Sequence, residues 1–268
     1  MVQKIPTFIV DSFTDEPFKG NPAGVCLLEN TLEAQQMQYI AAELNLSETA
    51  FVRQIKTGFS IRYFSPKMEI PLCGHATLAS AKVLVEQHGL DSIQFTTGGG
   101  LTLHVNKAED GLVMQFPRYE VTPAKVPDGM LNALGLTSAL NSVYNKETNI
   151  LLIEIAGVER LRSLQPDFNA LLSTHDSIHG VLLTCQGEDS GYDFHSRYFW
   201  PWSGSNEDPV TGATHTFMAP YWSQKLNKSR MRSFQASART GFMELDLLPD
   251  KLLIKGKAVL VLEGEMIV

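Results

Sequence analysis

Apolar and polar positions change period several times along the chain, and each change marks an element. Residues 7–13, opening Thr7-Phe8-Ile9-Val10, form a short apolar run with strand character. The turn cluster Phe18-Lys19-Gly20-Asn21-Pro22-Ala23-Gly24 then leads into a second run, Val25-Cys26-Leu27-Leu28. From Asn30 the period lengthens: Met37, Ile40, Ala41 and Leu44 recur at helical spacing, and Glu33 follows Asn30 as in a helix start. This predicts a helix over 32–44. Residues 49–52 read as a strand, so Ser47-Glu48 falls at a helix-to-strand junction, where side chains commonly face a cleft. Residues 60–64 form another strand, ended by Pro66 and Pro71. Residues 76–85 are apolar on nearly every face, which predicts a helix buried all round. Strands over 93–96 and 101–105 follow, joined through Gly98-Gly99-Gly100.

The second half repeats this order. Arg62-Tyr63-Phe64-Ser65-Pro66 matches Arg197-Tyr198-Phe199-Trp200-Pro201, an offset of 135 residues (62 to 197). Glu69-Ile70-Pro71-Leu72-Cys73-Gly74 matches Glu207-Asp208-Pro209-Val210-Thr211-Gly212 at 138 (69 to 207), so three residues are inserted between the blocks. Residues 117–127 carry three prolines and mark a linker. The expected organisation is an N-terminal lobe of 1–123 and a C-terminal lobe of 124–268.

Composition narrows the function. The 268 residues are 44% hydrophobic, enough for a sizeable core, and a net charge of −7 with dispersed Lys and Arg leaves no basic footprint for nucleic acid. No apolar run approaches the ~18 residues of a membrane span, and the first residues lack the apolar core of a signal peptide. A cytoplasmic protein acting on a small molecule is the expectation. Cys26, Cys73 and Cys185 are too dispersed for a disulfide framework or a structural zinc site, and His175 with His179, spaced like two zinc ligands, runs straight into a strand.

Both Pro-x-x-Gly turns lead into predicted helices, so the N–H groups around Gly74 and Gly212 are expected to face outward and offer an anion site. At this point the motifs resemble a known family. Phe18-x-Gly20-Asn21-Pro22-Ala23-Gly24-Val25, Leu46-Ser47-Glu48-Thr49-Ala50-Phe51, Arg62-Tyr63-Phe64-x-Pro66, Pro71-Leu72-Cys73-Gly74-His75-Ala76-Thr77 and Glu207-Asp208-Pro209-Val210-Thr211-Gly212 are similar, in order, to the signature series of phenazine-biosynthesis-protein-like isomerases.

The resemblance implies an α/β (α+β) architecture, the diaminopimelate-epimerase-like fold. In it two similar lobes each wrap mixed β-sheet around a central helix, with the active site between them. It also implies an isomerase that needs no metal or organic cofactor and shifts a proton on a small carboxylated substrate, and a homodimeric assembly. By position in the motifs, Glu48 becomes the proton carrier, with His75 and Asp208 as catalytic partners. Cys73, Gly74, Ala76, Thr211, Gly212 and Ala213, on the two turns, become substrate contacts. A carboxyl that gives and takes protons near neutral pH works best with a raised pKa, which burial and a neighbouring Asp208 would supply. His75 at a helix start is expected to be a neutral imidazole.

Two other readings remain open on the sequence. Related amino-acid epimerases use a cysteine at each equivalent turn; here Cys73 faces a Thr211 equivalent, which leaves at most a one-thiol epimerase. A non-catalytic protein that binds a small carboxylate is the other. The chain departs from the family pattern at Ala213-Thr214-His215, where Ser-Ala is common, and at Pro220, expected to kink or end the second central helix. Trp200, Trp202 and Trp222 are read as core and cleft wall.

Overall fold

The first half builds its sheet from strands whose apolar residues turn inward. The computed structural model describes residues 3–188 and 191–268. The strands are β1 (Lys4–Ser12), β2 (Asn21–Leu28), β3 (Glu48–Ile55), β4 (Gly58–Phe64), the two-residue β5 (Glu69–Ile70), β6 (Ser92–Thr97), β7 (Thr102–Ala108) and β8 (Gly111–Pro117). Helix α1 (Ala34–Leu44) connects β2 to β3, and α2 (Gly74–His88) connects β5 to β6. Helix α1 starts two residues later than the spacing predicts. The capping box is made by Glu33 and Gln36, not by Asn30, and the helix stops at Asn45 in the left-handed region.

Helix α2 is the buried element that the pattern of 76–85 predicts: Ala76, Leu78, Ala79, Ala81, Val83 and Leu84 are almost wholly inaccessible. Its polar residues enter the core because they bond their own helix, Ser80 to the Ala76 carbonyl at 2.7 Å and Thr77 to the Cys73 carbonyl at 2.6 Å. The helix packs on β1, β2 and β3. Its small residues let those strands approach closely.

After β8 the chain forms β9 (Thr122–Pro123), α3 (Met130–Ala133), β10 (Asn141–Asn145), β11 (Ile150–Glu154), α4 (Val158–Ser163), α5 (Phe168–Leu172), β12 (Gly180–Gln186), β13 (Phe194–Trp200), a 3₁₀ turn, β14 (Ser205–Asp208), α6 (His215–Leu226), β15 (Arg230–Gln235), β16 (Gly241–Leu247) and β17 (Lys251–Gly256). The last strand, β18 (Ala258–Ile267), pairs antiparallel with β1. The chain therefore divides into one unit of Met1–Gln115 with Ile254–Val268 and another of Phe116–Leu253. This differs from the single division into 1–123 and 124–268. β18 returns to the first unit, and nothing local in its sequence signals which strand it will pair with.

The two units share one topology, read strand by strand. In the first, β1–β2 is antiparallel, β2–β3 parallel, β3–β4 and β4–β5 antiparallel, β4–β6 parallel and β6–β7 antiparallel. In the second, β10–β11, β11–β12, β12–β13, β13–β14, β13–β15 and β15–β16 repeat that series in order. The registers carry the sequence offsets. Phe64 opposes Glu69 as Phe199 opposes Glu207, and Phe59 opposes Phe95 as Phe194 opposes Ser233. Each unit also closes its turn with the same bidentate pair, Arg62 to Glu69 at 2.7 and 2.7 Å and Arg197 to Glu207 at 2.8 and 2.9 Å.

Two expectations at α6 are corrected. Pro220 lies inside the helix and does not end it. The carbonyl a residue-220 N–H would have taken belongs to Thr216, and it accepts instead from the Tyr119 N–H at 2.9 Å. Gly212 is not the first helical residue as Gly74 is; α6 begins at His215, after a tight turn in which the His215 N–H bonds the Gly212 carbonyl. Trp222 is core, stacked on Phe194 and donating to Thr184, whereas Trp202 is partly buried against the core of its unit.

Candidate functional site

Three chain segments of the first unit meet around His75. Glu48 is the first residue of β3 and lies beside Ala23 of β2 in parallel register, while Cys73 caps α2 and His75 is its second residue. The turn that carries β2 into place needs Gly20, whose φ of 65° and closeness to the Ser12 carbonyl, 2.1 Å from an added Cβ, admit no side chain. His75 Nε2 lies 3.1 Å from Glu48 Oε2, and both side chains are about nine-tenths buried. Cys73 Sγ is 3.3 Å from Nδ1 and 3.8 Å from Nε2 of the same ring.

Residues outside the expected set hold this cluster. The Ser47 hydroxyl is 3.3 Å from His75 Nε2 and also within reach of Asn21 Oδ1 and the Pro22 carbonyl. Ser12 donates to the His75 carbonyl at 2.8 Å. Tyr63 and Thr77 share a 2.6 Å contact between hydroxyls, and Thr77 in turn binds the Cys73 carbonyl. Buried bonds of this kind are worth about 1 kcal/mol each and cost more than that to leave unmade. Ser47 was legible as the neighbour of Glu48 in its motif; Ser12, 63 residues from His75, carried no signal.

The electrostatics correct two expectations. Burial pushes the Glu48 carboxyl up, but the His75 charge and the hydrogen bonds from His75 and Ser47 together outweigh it and hold the carboxyl below its usual value, not above it. Burial pushes His75 down, yet Cys73 and Glu48 raise it well above the usual imidazole value, the opposite direction to that expected at a helix start. Burial pushes the Cys73 thiol up, with Glu48 adding to the rise, and together they outweigh the lowering by His75. Glu48 and His75 thus form a buried acid–base pair beside the Cys73 thiol.

Of the remaining predicted residues, Gly74 and Ala76 lie on the first turn of α2, and the others lie in the second unit, around its own turn. Asp208 ends β14 opposite Tyr198, is buried, and accepts the Thr211 hydroxyl. Gln235 clamps this turn, its Oε1 accepting from the Thr211 N–H at 2.9 Å and its Nε2 donating to the Asp208 carbonyl at 2.8 Å. The Thr211 N–H is therefore not an outward-facing donor. The Ala213 carbonyl accepts from Thr216, and His215 is buried, its Nδ1 on the Thr211 carbonyl at 3.0 Å and its Nε2 on Ser233 Oγ at 2.8 Å. His175 and His179 sit in a loop with separate partners, Ser177 and the Thr148 carbonyl. All three cysteines are free and buried, and burial pushes Cys26 and Cys185 up to about 12.

No helix among the described residues is long and apolar enough to cross a membrane. Residues 10–264 match the family described as "Phenazine biosynthesis-like protein". The mouse "Phenazine biosynthesis-like domain-containing protein 1" is 44% identical, with 98% of this chain and 99% of that protein covered. A Pseudomonas aeruginosa protein named as an uncharacterized isomerase is 41% identical over 98% and 99% of the two chains. The crystal structure of a phenazine biosynthesis family protein from Enterococcus faecalis has a TM-score of 0.92 at 37% identity, covering 98% of this chain and 99% of that one. Solved epimerases at lower identity share the mixed α/β, diaminopimelate-epimerase-like fold.

Proposed function

The chain belongs to the phenazine biosynthesis-like protein family and is an enzyme of isomerase type, and we propose that it moves a proton between two carbons of a small carboxylated substrate with Glu48 as its only base. The observation that carries this is an asymmetry within an otherwise repeated topology. The register that pairs Thr49 with Phe64 pairs Val181 with Phe199, so the residue matching Glu48 in the second unit is Gly180. A side chain there would meet Tyr198 and the Phe199 carbonyl at 2.6–2.7 Å. The 138-residue offset matches Cys73 with Thr211 and His75 with Ala213. One unit carries a carboxyl, an imidazole and a thiol; the equivalent positions of the other, Gly180, Thr211 and Ala213, carry no titratable side chain.

A two-base racemase needs an acid and a base on opposite faces of the substrate. A single carboxylate takes a proton from one carbon and returns it to another on the same face, while the intervening double bond shifts and no atom is oxidised or reduced. Glu48, held ionised by His75, starts as the base; the substrate's C–H proton goes to its oxygen and from there to the second carbon. His75 stabilises the carboxylate before the first transfer and again after the second. The N–H groups of Gly74 and His75 at the first turn of α2 suit a substrate carboxylate, with Ala76, whose own N–H lies on the Cys73 sulfur, as a neighbouring contact. On this reading Thr211, Gly212 and Ala213 contact substrate, and Asp208 is a catalytic partner. A homodimer working in the cytoplasm without a cofactor belongs to the same proposal.

Candidate substrates incubated in D₂O with wild type and Glu48→Gln test the base. Loss of general-base catalysis should lower turnover and label incorporation by about 10²–10⁴-fold; equal incorporation by both proteins removes Glu48 from the mechanism. The 3.3 Å Cys73–His75 contact favours one competing reading, a thiol route. Cys73→Ala separates them, because retained turnover excludes it. Asp208→Asn combined with Glu48→Gln tests the shared role: losses that multiply independently would place the two residues in separate functions.

A further inference from the structure

The geometry points to a divalent metal site of the zinc class formed by Glu48, Cys73 and His75, with Glu48 Oε2, Cys73 Sγ and His75 Nε2 as its three protein ligands. The inference goes beyond the proposed reaction and rests on the cluster alone; it holds whether or not Glu48 moves a proton. Among the described residues this is the one group of three His, Cys, Asp or Glu side chains whose ligand atoms all lie within 4.8 Å of one another. Oxygen, nitrogen and sulfur donors in one site suit a borderline-soft ion and not calcium or magnesium, which take oxygen.

Distances within the cluster fit that ion. Tetrahedral zinc, with bonds of ~2.0–2.1 Å to nitrogen or oxygen and ~2.3 Å to sulfur, sets ligand atoms ~3.3 Å apart for nitrogen and oxygen and ~3.6 Å apart for nitrogen and sulfur. The observed separations from Nε2 are 3.1 Å to the carboxylate and 3.8 Å to the sulfur. The sulfur is nearer Nδ1, at 3.3 Å, so the His75 ring must also turn to aim Nε2 between the carboxylate and the sulfur. The backbone is already held for this: Ser12 anchors His75 at its carbonyl, Thr77 anchors Cys73, and β3 fixes Glu48. The Ala76 N–H faces the Cys73 sulfur and supports it as an anion. Three protein ligands leave the fourth position open, as in sites where zinc also holds water or a small anion.

The position matters because the ion would take Glu48 and His75 out of any other role. Zn²⁺ is therefore expected to act as a reversible blocking ligand. Binding of Zn²⁺ to the purified full chain, followed by titration calorimetry, should saturate at one ion per chain. Cys73→Ala should weaken it by more than the roughly 10–100-fold that loss of even an outer-shell partner costs. Cys185→Ala, which removes a thiol far from the cluster in sequence, should leave it unchanged. Co²⁺ in place of Zn²⁺ should show a thiolate-to-metal absorption band in wild type that Cys73→Ser lacks. Thermal melts of the Cys73 variants establish that they are folded. Zn²⁺ affinity equal in wild type and folded Cys73→Ala, or a Co²⁺ adduct without the thiolate band, overturns the proposal.

Discussion

Acidifying the protein should expose the cost of keeping His215 neutral. The ring is 1% exposed, and burial holds its pKa at about 4 against an ordinary 6.5. The Thr211 carbonyl can only accept, so Nδ1 carries the proton and Nε2 accepts from the Ser233 hydroxyl. Between pH 6.5 and 4 the unfolded chain binds a proton that the folded one refuses. Stability from this group is complete above the unfolded value and is lost as the pH falls toward the folded one. The gap of about 2.5 pH units corresponds to ~3 kcal/mol in full, most of which is lost by pH 4.5. With an unfolding entropy of ~2.1 cal/mol/K per residue over 268 residues, that is a fall in Tm of about 4–5 °C.

Other groups titrate in the same window, His195 among them, so the group is isolated by difference. His215→Gln keeps a donor for Thr211 and an acceptor for Ser233 but cannot titrate. Thermal melts of both proteins at pH 7 and pH 4.5 should show the wild type losing about 4–5 °C more than the variant over that interval, whatever their separation at pH 7. Parallel curves would refute the assignment of a buried neutral imidazole at this turn.

The repeated arginines make a second comparison. Arg197 is 8% exposed and adds bonds to the Leu161 and Leu164 carbonyls that Arg62, open to solvent, does not have. Arg197→Ala should therefore cost about 3–5 kcal/mol in chemical denaturation, and Arg62→Ala about 1 kcal/mol or less; equal losses would contradict the difference in burial. Pro220→Ala should change stability by less than ~1 kcal/mol, well short of the ~3 kcal/mol that proline costs in an ordinary helix interior, because the Tyr119 N–H already occupies the carbonyl that the new N–H would need. A gain near the full value in the same assay would show that the Tyr119 bond contributes little.

What could be read from the sequence depended on whether a signal was local. The buried run at 76–85 is α2, since a helix apolar on all faces has no surface solution, and the matched Arg-Tyr-Phe and Pro-x-x-Gly blocks reappear as matched registers and matched ion pairs. Two motifs single out Glu48 and, 25 residues on, Cys73 with His75, yet the pKa shifts of Glu48 and His75 run opposite to expectation. A pKa depends on which neighbours arrive. The motifs point to a carboxylate beside Glu48, whereas the neighbour that arrives in the first unit is the His75 ring. The same dependence explains Pro220, whose orphaned carbonyl is satisfied from Tyr119, 97 residues earlier than Thr216 (119 to 216), and β18, whose partner β1 lies at the other end of the chain.

The absent partner is as informative as the present one. Gly180 is an unremarkable strand opening in the sequence, and only the pairing of Val181 with Phe199 identifies it as the counterpart of Glu48. Duplication of a unit ordinarily duplicates its chemistry, and a symmetric pair of acid–base groups is what a racemase would keep. Here the strand, the turn and the helix are repeated while the titratable groups are not, with Gly180, Thr211 and Ala213 standing where Glu48, Cys73 and His75 stand in the first unit. The tight packing of Tyr198 and the Phe199 carbonyl against Gly180 leaves no room for a carboxylate to be restored by a single substitution. The asymmetry is thus built into the packing of the second unit, and it favours a one-base proton shift over a two-base inversion independently of which substrate is found.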